Sequence, residues 1–282
     1  MAPSASSSAE QARKDLAARL GEIRLDAGLK GSELAQRLGW YPSKVSRIQS
    51  GTTSPSADDI RAWCTACDAR DRAADMVQRL RDVEGMFVEW RRMERAGLRH
   101  AQESVRPLFE RTTRFRAYSS WFVPGLIQSR AYTESVLRAV RRRRVAVDDV
   151  DAAVASRMER QRILHEGGRT FAFLVEESVL RSGMGGPEVM AGQLGQLVTV
   201  GSLPNVSLGV VPMRPDRARM PVEGFWIYDS EQVNVELVSG YLTITQPHEV
   251  TMYAETFAEL ADLAVYGAEA RSMIALALRA LG

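Results

Sequence analysis

The pattern that most restricts the fold of this 282-residue chain is a pair of short apolar repeats in succession, bounded by the glycines Gly28, Gly39 and Gly51. In the first segment Leu34 and Leu38 are four residues apart, and in the second Val45 and Ile48 are three apart. Residues at these intervals share one face of a helix, and glycine often follows a helix end because it adopts the left-handed conformation without strain. We therefore predict two short helices that join at Gly39 and pack their apolar faces together.

The second of these helices, which begins at Pro42, has a polar and basic side opposite its apolar face. Ser43, Lys44 and Arg47 lie on this side, since residues three and four apart are neighbours. An arginine can read guanine through two hydrogen bonds, a lysine contacts phosphate or guanine, and a serine is a short donor or acceptor. The pattern predicts a recognition helix for the major groove of double-stranded DNA, and a solvated helix is the weaker alternative. Further predicted contacts are Ser46, Ser50 and Thr52 to phosphates, and Tyr41 either at the groove edge or as a weakened helix cap.

The stretch GLKGSELAQRLGWYPSKVSRIQSG, residues 28–51, resembles the phage-repressor type of helix-turn-helix in its xenobiotic-response-element branch. The matching elements are Leu34-Ala35 of the second helix, Gly39 of the turn, Val45-Ser46-Arg47-Ile48 of the recognition helix and Gly51 after it. Three residues depart from the family pattern: Gly31 replaces a frequent phosphate-contacting Gln, Tyr41 a Ser or Thr cap, and Gln49 a Glu. The resemblance implies a transcription regulator that usually binds two DNA half-sites as a homodimer.

Before the C-terminal domain, the chain divides into three parts. Residues 1–9 are small and polar and predict a disordered tail, and residues 10–70 predict an all-α helix-turn-helix domain. Residues 71–106 are charge-dense with a helical apolar stripe, which predicts a helical connector. Cys64 and Cys67 fall on the apolar side of a helix, so core packing is favoured over a metal or redox site.

The pattern changes in residues 107–282, where short β-branched or aromatic segments bounded by turns predict strands. These segments lie at 171–177, 206–212, 224–230, 233–238 and 241–245. An earlier segment, LFERTTRFRAYSSW, is typical of either a short helix or a strand. Helical patterns separate and flank the strands, so we predict an α+β domain with a mostly antiparallel sheet, which serves sensing, dimerisation or both.

Two boxes in this region, VPGLIQ at 123–128 and RMERQ at 157–161, resemble a domain of unknown function. That domain follows this type of helix-turn-helix in regulators of high-GC Gram-positive bacteria, and the resemblance runs from about 107 to 265. It implies an antitoxin-like regulator, commonly encoded beside a small partner protein. A small partner protein or a small ligand is therefore a predicted effector. In the alternative, the chain is chiefly a protein-interaction module that binds DNA for autoregulation.

Three features of the C-terminal half have two interpretations each. The VPGLIQ box lines a ligand pocket or serves packing, and packing is favoured. Arg157, Arg160 and Gln161 share one side of a helix, where they bind an anion or, as favoured here, hold the structure together. The run Arg141–Arg144 contacts the DNA backbone beside the operator or forms a solvated helix end.

Residues 1–145 carry 27 Lys and Arg against 17 Asp and Glu, which favours an anionic partner.

The sequence contains no constellation of side chains for catalysis. Glu176 and Glu177 are adjacent, so on a strand they point to opposite faces and cannot act as a pair. The three histidines are too far apart in sequence for a recognisable metal site or catalytic triad. We therefore predict that the chain is not an enzyme and binds no metal or cofactor. With no apolar run near the roughly 20 residues of a membrane helix and no signal peptide, we expect a cytoplasmic protein without a membrane partner.

Overall fold

The computed structural model describes residues 7–85, 87–89, 93–213, 217 and 219–282. The chain separates into two compact units, Met1–Val88 and Glu89–Gly282. Of the predicted tail, residues 1–6 lie outside the described residues, and residues 7–9 are helical rather than disordered.

The described residues of the first unit form helices: α1 (Ser7–Asp26), α2 (Gly31–Leu38), α3 (Pro42–Gln49), α4 (Ala57–Ala66) and α5 (Ala73–Gly85). A short 3-10 helix, Arg70–Arg72, precedes α5. Gly28 and Gly39, which follow α1 and α2, have φ angles of 70° and 65°, a region that favours glycine. The predicted pair of short helices with a turn at Gly39 is therefore confirmed.

One apolar core fills the first unit. Leu20 of α1, Leu34 of α2 and Ile48 of α3 are each at most 1% exposed, and Ile60 of α4 is fully buried with them. Trp63 of α4 lies in the same core, and its Nε1 donates a hydrogen bond to the Leu20 carbonyl oxygen at 3.0 Å. This single side chain therefore joins α4 to α1 through both packing and a hydrogen bond.

The two cysteines are part of this core, as predicted. Cys64 is fully buried and Cys67 nearly so. Burial raises the pKa of both thiols, that of Cys67 to about 11, so both stay protonated at neutral pH. No cluster of three or more His, Cys, Asp or Glu side chains suited to a metal ion occurs in the part of the chain that the structure describes.

The predicted connector at 71–106 is divided between the two units. Met76 and Leu80 of α5 are buried in the core of the first unit. Leu98 is buried in an apolar cluster of the second unit. The predicted helical stripe is therefore buried at Met76 and Leu80, in the core of the first unit and not in a separate linker. Farther along the stripe, Phe87 lies in a short strand and Trp90 lies outside the described residues.

The second unit contains helices and a sheet. Its helices are α6 (Leu98–Ser104), α7 (Arg106–Arg111), α8 (Arg130–Arg144), α9 (Val150–Arg160), α10 (Glu177–Leu180), α11 (Pro187–Val200), α12 (Pro247–Leu263) and α13 (Gly267–Arg279). A short strand, β1 (Phe87–Glu89), lies at the boundary of the units, and the strands beyond it are β2 (Arg114–Ser119), β3 (Thr170–Glu176), β4 (Val206–Val211), β5 (Phe225–Tyr228), β6 (Gln232–Glu236) and β7 (Gly240–Ile244). Among the residues described, no helix has the length and apolar character to span a bilayer.

The sheet of the second unit is mixed, with the strand order β7-β6-β5-β2-β3-β4. β3 runs parallel to β2 and β4, whereas the β2–β5, β5–β6 and β6–β7 pairs are antiparallel. Antiparallel pairs therefore outnumber parallel ones among these strands, which confirms the predicted α+β class. β2, whose sequence suited either a helix or a strand, is a central strand, and α7 immediately precedes it.

Alternate residues of the central strands face two apolar cores, as the two-residue period of a strand requires. Phe115 of β2 and Phe173 of β3 pack on the side of α8, α11 and α13. Tyr118 and Leu174 pack on the opposite side, with Phe257 of α12. Helices therefore cover both faces of the sheet.

Candidate nucleic-acid interface

The apolar face of α3 is buried in the first unit. Val45 and Ile48 are each 1% exposed and pack with Leu34 and Ala35 of α2. The partly buried Leu38 adds to the same cluster. This contact fixes which side of α3 faces outward.

The outward side of α3 carries Arg47 and three serines. Ser43, Ser46 and Ser50 are exposed, and so is Thr52 just beyond the helix. The Arg47 Nε donates to the Ser43 carbonyl oxygen at 3.3 Å, one turn earlier in the same helix. Within the described residues no carboxylate forms an ion pair with Arg47. Its two terminal nitrogens are therefore available to an anion or a base edge.

Lys44 is placed differently from the prediction. Its Nζ lies 2.6 Å from Asp59 Oδ1 and 3.9 Å from the centre of the Trp40 ring. The side chain bends back against the unit and is only partly exposed. The ammonium group is thus committed to an intramolecular ion pair and a cation–π contact. Of the three predicted groove-facing residues, Ser43 and Arg47 project freely and Lys44 does not.

Asp59 holds the start of α4 as well as Lys44. Its Oδ2 accepts from the Ser56 amide at 3.0 Å, and its own amide donates to Ser56 Oγ at 3.0 Å, which together form a capping box. Burial by itself raises the pKa of Asp59, but the hydrogen bonds from Lys44 and Ser56 outweigh it, so the pKa lies below its ordinary value. Asp59 therefore links α3 to the start of α4.

We expect Asp59→Ala to lower the free energy of unfolding of the first unit by about 1–2 kcal/mol at pH 7, because it removes both the cap and the ion pair. The pKa of Asp59 is lower in the folded protein than in the unfolded chain. The ionised carboxylate therefore stabilises the fold at a pH above the ordinary carboxyl pKa, and this stabilisation is lost as the pH falls through the pKa of the folded protein. The difference from the native protein should therefore shrink below about pH 4 in urea denaturation.

The adjacent Asp58→Ala is the matched control for this prediction, since the Asp58 side chain is 93% exposed and, among the described residues, bonds only to Arg61. A change of less than about 0.5 kcal/mol is expected for it at any pH. A loss in Asp59→Ala that stays constant from pH 7 to pH 3 would contradict the role of the ionised carboxylate.

Two hydroxyl groups are joined just after the end of α3. Ser50 Oγ bonds to the Arg47 carbonyl oxygen at 3.1 Å and lies 2.8 Å from Thr52 Oγ1. Gly51 between them has a φ of 69°, which glycine adopts without strain. The structure brings these two predicted phosphate contacts together on an exposed turn.

Tyr41 makes no cap. It occupies the cap position of α3 with φ −69° and ψ 138°, but its side chain accepts no hydrogen bond from the helix, and it is 85% exposed. Pro42 follows at the first helical position and lacks an amide proton, which reduces the need for a cap. The structure thus removes the cap interpretation and leaves the side chain free in solvent.

Arg24, which contacts α3, was not singled out in sequence, and Gln49 was named only as a departure from the family pattern. With its amide oxygen turned toward α1, Gln49 accepts from Arg24 Nε at 2.8 Å and from Nη2 at 3.3 Å. Arg24 also donates to the Leu29 carbonyl oxygen. A Glu, frequent at this position in the resembling family, would make an ion pair there, so the Gln is a neutral form of the same link between α1 and α3. The presence of Gln in place of Glu at position 49 was the one sequence signal of this contact, but it did not show that the partner is Arg24.

The two boxes of the second unit are joined to each other. Gln128 is fully buried; its amide donates to the Val123 carbonyl oxygen at 2.6 Å, and its Oε1 accepts from Arg157 Nη1 at 2.9 Å. Gln161 donates to the carbonyl oxygens of Gly125 and Gln128, both at 2.9 Å. The structural role favoured for Arg157 and Gln161 is therefore present.

The remaining charged candidates are placed as follows. Arg141 pairs with Asp148 at 3.0 Å, Arg142 and Arg143 are exposed, and the side chain of Arg144 lies outside the described residues. Glu176 ends β3 and Glu177 begins α10, so only the first lies on a strand. Glu176 is 3% exposed and bonds to Tyr118 and Arg217.

Comparisons with known proteins agree with this division of the chain. Residues 107–275 match the family described as Domain of unknown function (DUF5753), and residues 15–76 match a helix-turn-helix domain. No curated protein matches the chain. Among solved structures, the fold has a distant likeness to TrmBL2, an archaeal chromatin protein with a novel mode of DNA binding. The identity is 11%, the TM-score is 0.32, and the match covers 85% of this chain and 88% of that one.

Proposed function

The chain belongs to the family of the Domain of unknown function (DUF5753) and carries a helix-turn-helix domain before it, and we propose that it is a sequence-specific transcription regulator. In this proposal it binds double-stranded DNA in the cytoplasm as a homodimer, in the manner of the phage-repressor type. The second unit supplies dimerisation and binds an effector, and the chain performs no catalysis.

The exposed face of α3 is the observation that carries the proposal. Arg47 projects from this face with both terminal nitrogens unpaired by described residues, and serine and threonine hydroxyl groups surround it. An arginine with a free guanidinium can contact O6 and N7 of guanine together. Ser46, Ser50 and Thr52 are placed to contact phosphates, which set the position of the helix without reading sequence.

The homodimer follows from the size of this surface. A single recognition helix contacts few base pairs, whereas two copies on half-sites about one helical turn apart double the contacts. Tyr41, beside the first turn of α3, is proposed as a contact at the groove edge. Lys44 is proposed to act by holding α3 through Asp59 rather than by reading a base.

Gel-shift titration tests the proposal with the full chain and the DNA upstream of its own gene, against random DNA of the same length. We expect the specific fragment to bind at least about 1,000-fold more tightly, with an affinity that falls as the salt concentration rises. Equal affinity for both fragments, or no dependence on salt, would overturn the proposal. A stable complex with a small protein but not with DNA would favour the antitoxin-like alternative.

Arg47→Ala is expected to weaken binding to the specific fragment by about 1–3 kcal/mol and to relax the preference at one base-pair position. The loss should be much smaller on random DNA, because a base contact is removed rather than a general attraction. The matched control is Arg79→Ala, an exposed arginine of α5 that pairs with Asp75. Equal loss on specific and random DNA would reassign Arg47 to a phosphate contact.

A further inference from the structure

A cavity of about 440 Å³ lies within the second unit, between α6–α9 and the sheet. This is within the range of small-molecule sites in proteins, about 300–1,000 Å³. Most of its wall is apolar or aromatic, with Phe109, Leu126 and Trp226 among the lining residues. Two arginines, Arg157 and Arg160, also line it, and both come from the RMERQ box.

The two guanidinium groups converge on one oxygen. Arg157 Nε donates to Gln102 Oε1 at 3.0 Å, and Arg160 Nη2 donates to the same oxygen at 2.9 Å. Arg160 also lies over the Phe109 ring, with its Cζ 4.9 Å from the ring centre. Two positive charges are thus held close together at the wall of an apolar cavity, where a net repulsion between them is costly.

The described residues do not use all the donors of these side chains. Each guanidinium has five N–H groups, yet the pair makes four hydrogen bonds, all to Gln102 and Gln128. Neither arginine forms an ion pair with a carboxylate in the part of the chain that is described. Burial lowers the pKa of Arg157 to about 10 and, together with repulsion from Arg157, that of Arg160 to about 9. Both remain charged at neutral pH.

A third donor faces the same space. Tyr228 of β5 is 5% exposed and lines the cavity, and its hydroxyl group has no hydrogen-bond partner among the described residues. Burial raises the pKa of Tyr228, so the group is a neutral donor at physiological pH. The buried Nε of Arg160, beside the same cavity, has no hydrogen-bond partner among the described residues, which is unfavourable. An acceptor in the cavity would serve the Tyr228 hydroxyl group.

We propose that this cavity binds a small amphipathic carboxylate, whose anionic group contacts Arg157, Arg160 and Tyr228 and whose apolar body packs against Phe109 and Trp226. The planar guanidinium matches the two oxygens of a carboxylate. The lining includes three arginines and two glutamates, Arg143 being the third arginine, and Glu94 and Glu236 the acids. The cationic groups at this apolar wall favour an anion that carries an apolar body.

Isothermal titration of the full chain with 2-naphthoate, and with the neutral isostere 2-naphthamide, tests the proposal. We expect the carboxylate to bind at least about tenfold more tightly, because its hydrogen bonds to the arginines are charge-assisted. Arg160→Met keeps the apolar stem but removes the charge, and should abolish the preference. The exposed neighbour Arg162→Gln, which loses only the pair with Glu159, should retain it.

Tyr228→Phe provides an independent variant if Arg160→Met does not fold, since it removes one oxygen and preserves the ring. Its affinity for 2-naphthoate should fall about five- to tenfold. Failure of the native protein to bind 2-naphthoate, equal affinity for the amide, or unchanged binding in a folded Arg160→Met or Tyr228→Phe variant would each overturn the proposal.

Regulation by such a ligand rests on the proposed function, whereas binding of the ligand does not. The two are separated by repeating the gel shift with and without 2-naphthoate. A protein that binds the operator but not the carboxylate refutes the cavity site alone. A protein that binds the carboxylate but no operator refutes the regulator alone.

Discussion

Trp63→Ala is expected to lower the free energy of unfolding of the first unit by about 3–5 kcal/mol. The side chain is 1% exposed, so its removal leaves a cavity in the only large core of the described part of that unit. It also leaves the Leu20 carbonyl oxygen without the indole donor at 3.0 Å. Since small domains are stable by about 5–15 kcal/mol, the loss takes away a large share of the unit's stability, and we expect the unit to unfold at a lower temperature than in the native protein.

Calorimetry and hydrogen exchange of α1 and α4 measure this effect, and two further variants define its origin. Trp63→Phe keeps most of the packing but loses the hydrogen bond, so a smaller loss of about 1–2 kcal/mol is expected. Tyr41→Ala, which removes an aromatic ring that is 85% exposed, should change stability by less than about 0.5 kcal/mol. A loss below 1 kcal/mol in Trp63→Ala would show that the ring does not hold α4 to α1.

The second large effect concerns the second unit, where Arg217→Met should lower the free energy of unfolding by about 3–5 kcal/mol. Arg217 donates to Glu176 from Nη1 at 2.7 Å and from Nη2 at 2.9 Å. Glu176 is 3% exposed, and its only other described donor is the Tyr118 hydroxyl at 2.7 Å. Removing the arginine leaves a buried carboxylate without its counter-charge.

A double-mutant cycle with Glu176→Met tests whether the cost comes from that stranded charge. The double variant Glu176→Met/Arg217→Met should recover most of the lost stability, because two apolar side chains replace the ion pair. Calorimetric unfolding of the four proteins gives the coupling free energy. Additive losses in the double variant would mean that the two residues act independently, contrary to the bidentate geometry.

The position and buried face of α3 could be predicted from sequence because their determinants are local. Gly39, Pro42 and the Val45–Ile48 spacing lie within one short stretch, and they specify where α3 begins and which side is buried. The position of Lys44 depends on Asp59, which is fifteen residues away and belongs to another helix. Helical periodicity assigns Lys44 to the same side as Arg47, but it cannot anticipate an ion pair that forms only after α4 has packed.

The other differences between prediction and structure arise where one sequence pattern is compatible with two structural environments. The stripe containing Met76 and Leu80 indicates a buried face, but a stripe does not reveal which core covers it. β2 mixes Arg114 and Arg116 with apolar residues, and its strand character depends on neighbours distant in sequence. Arg116 is accommodated because its Nη2 donates to the Asp229 carbonyl oxygen at 2.8 Å. From sequence, an anion site at the RMERQ box was only the less favoured of two interpretations. The spacing of its side chains is compatible with hydrogen bonds inside the protein and equally with binding of an anion.

The hydrogen bonds between the VPGLIQ and RMERQ boxes also constrain how the family can diverge. The side-chain oxygen of Gln128 accepts a hydrogen bond from Arg157, and its backbone carbonyl oxygen accepts one from Gln161. A replacement in one box therefore removes a hydrogen-bond partner from the other. A Gln128 variant would remove the acceptor of Arg157 Nη1 and leave the guanidinium bonded only through Nε to Gln102 among the described residues. A compensating change at Arg157 would remove charge from the cavity wall. Related chains should therefore vary at these positions jointly, and the proposed carboxylate site should differ in a branch in which both have changed.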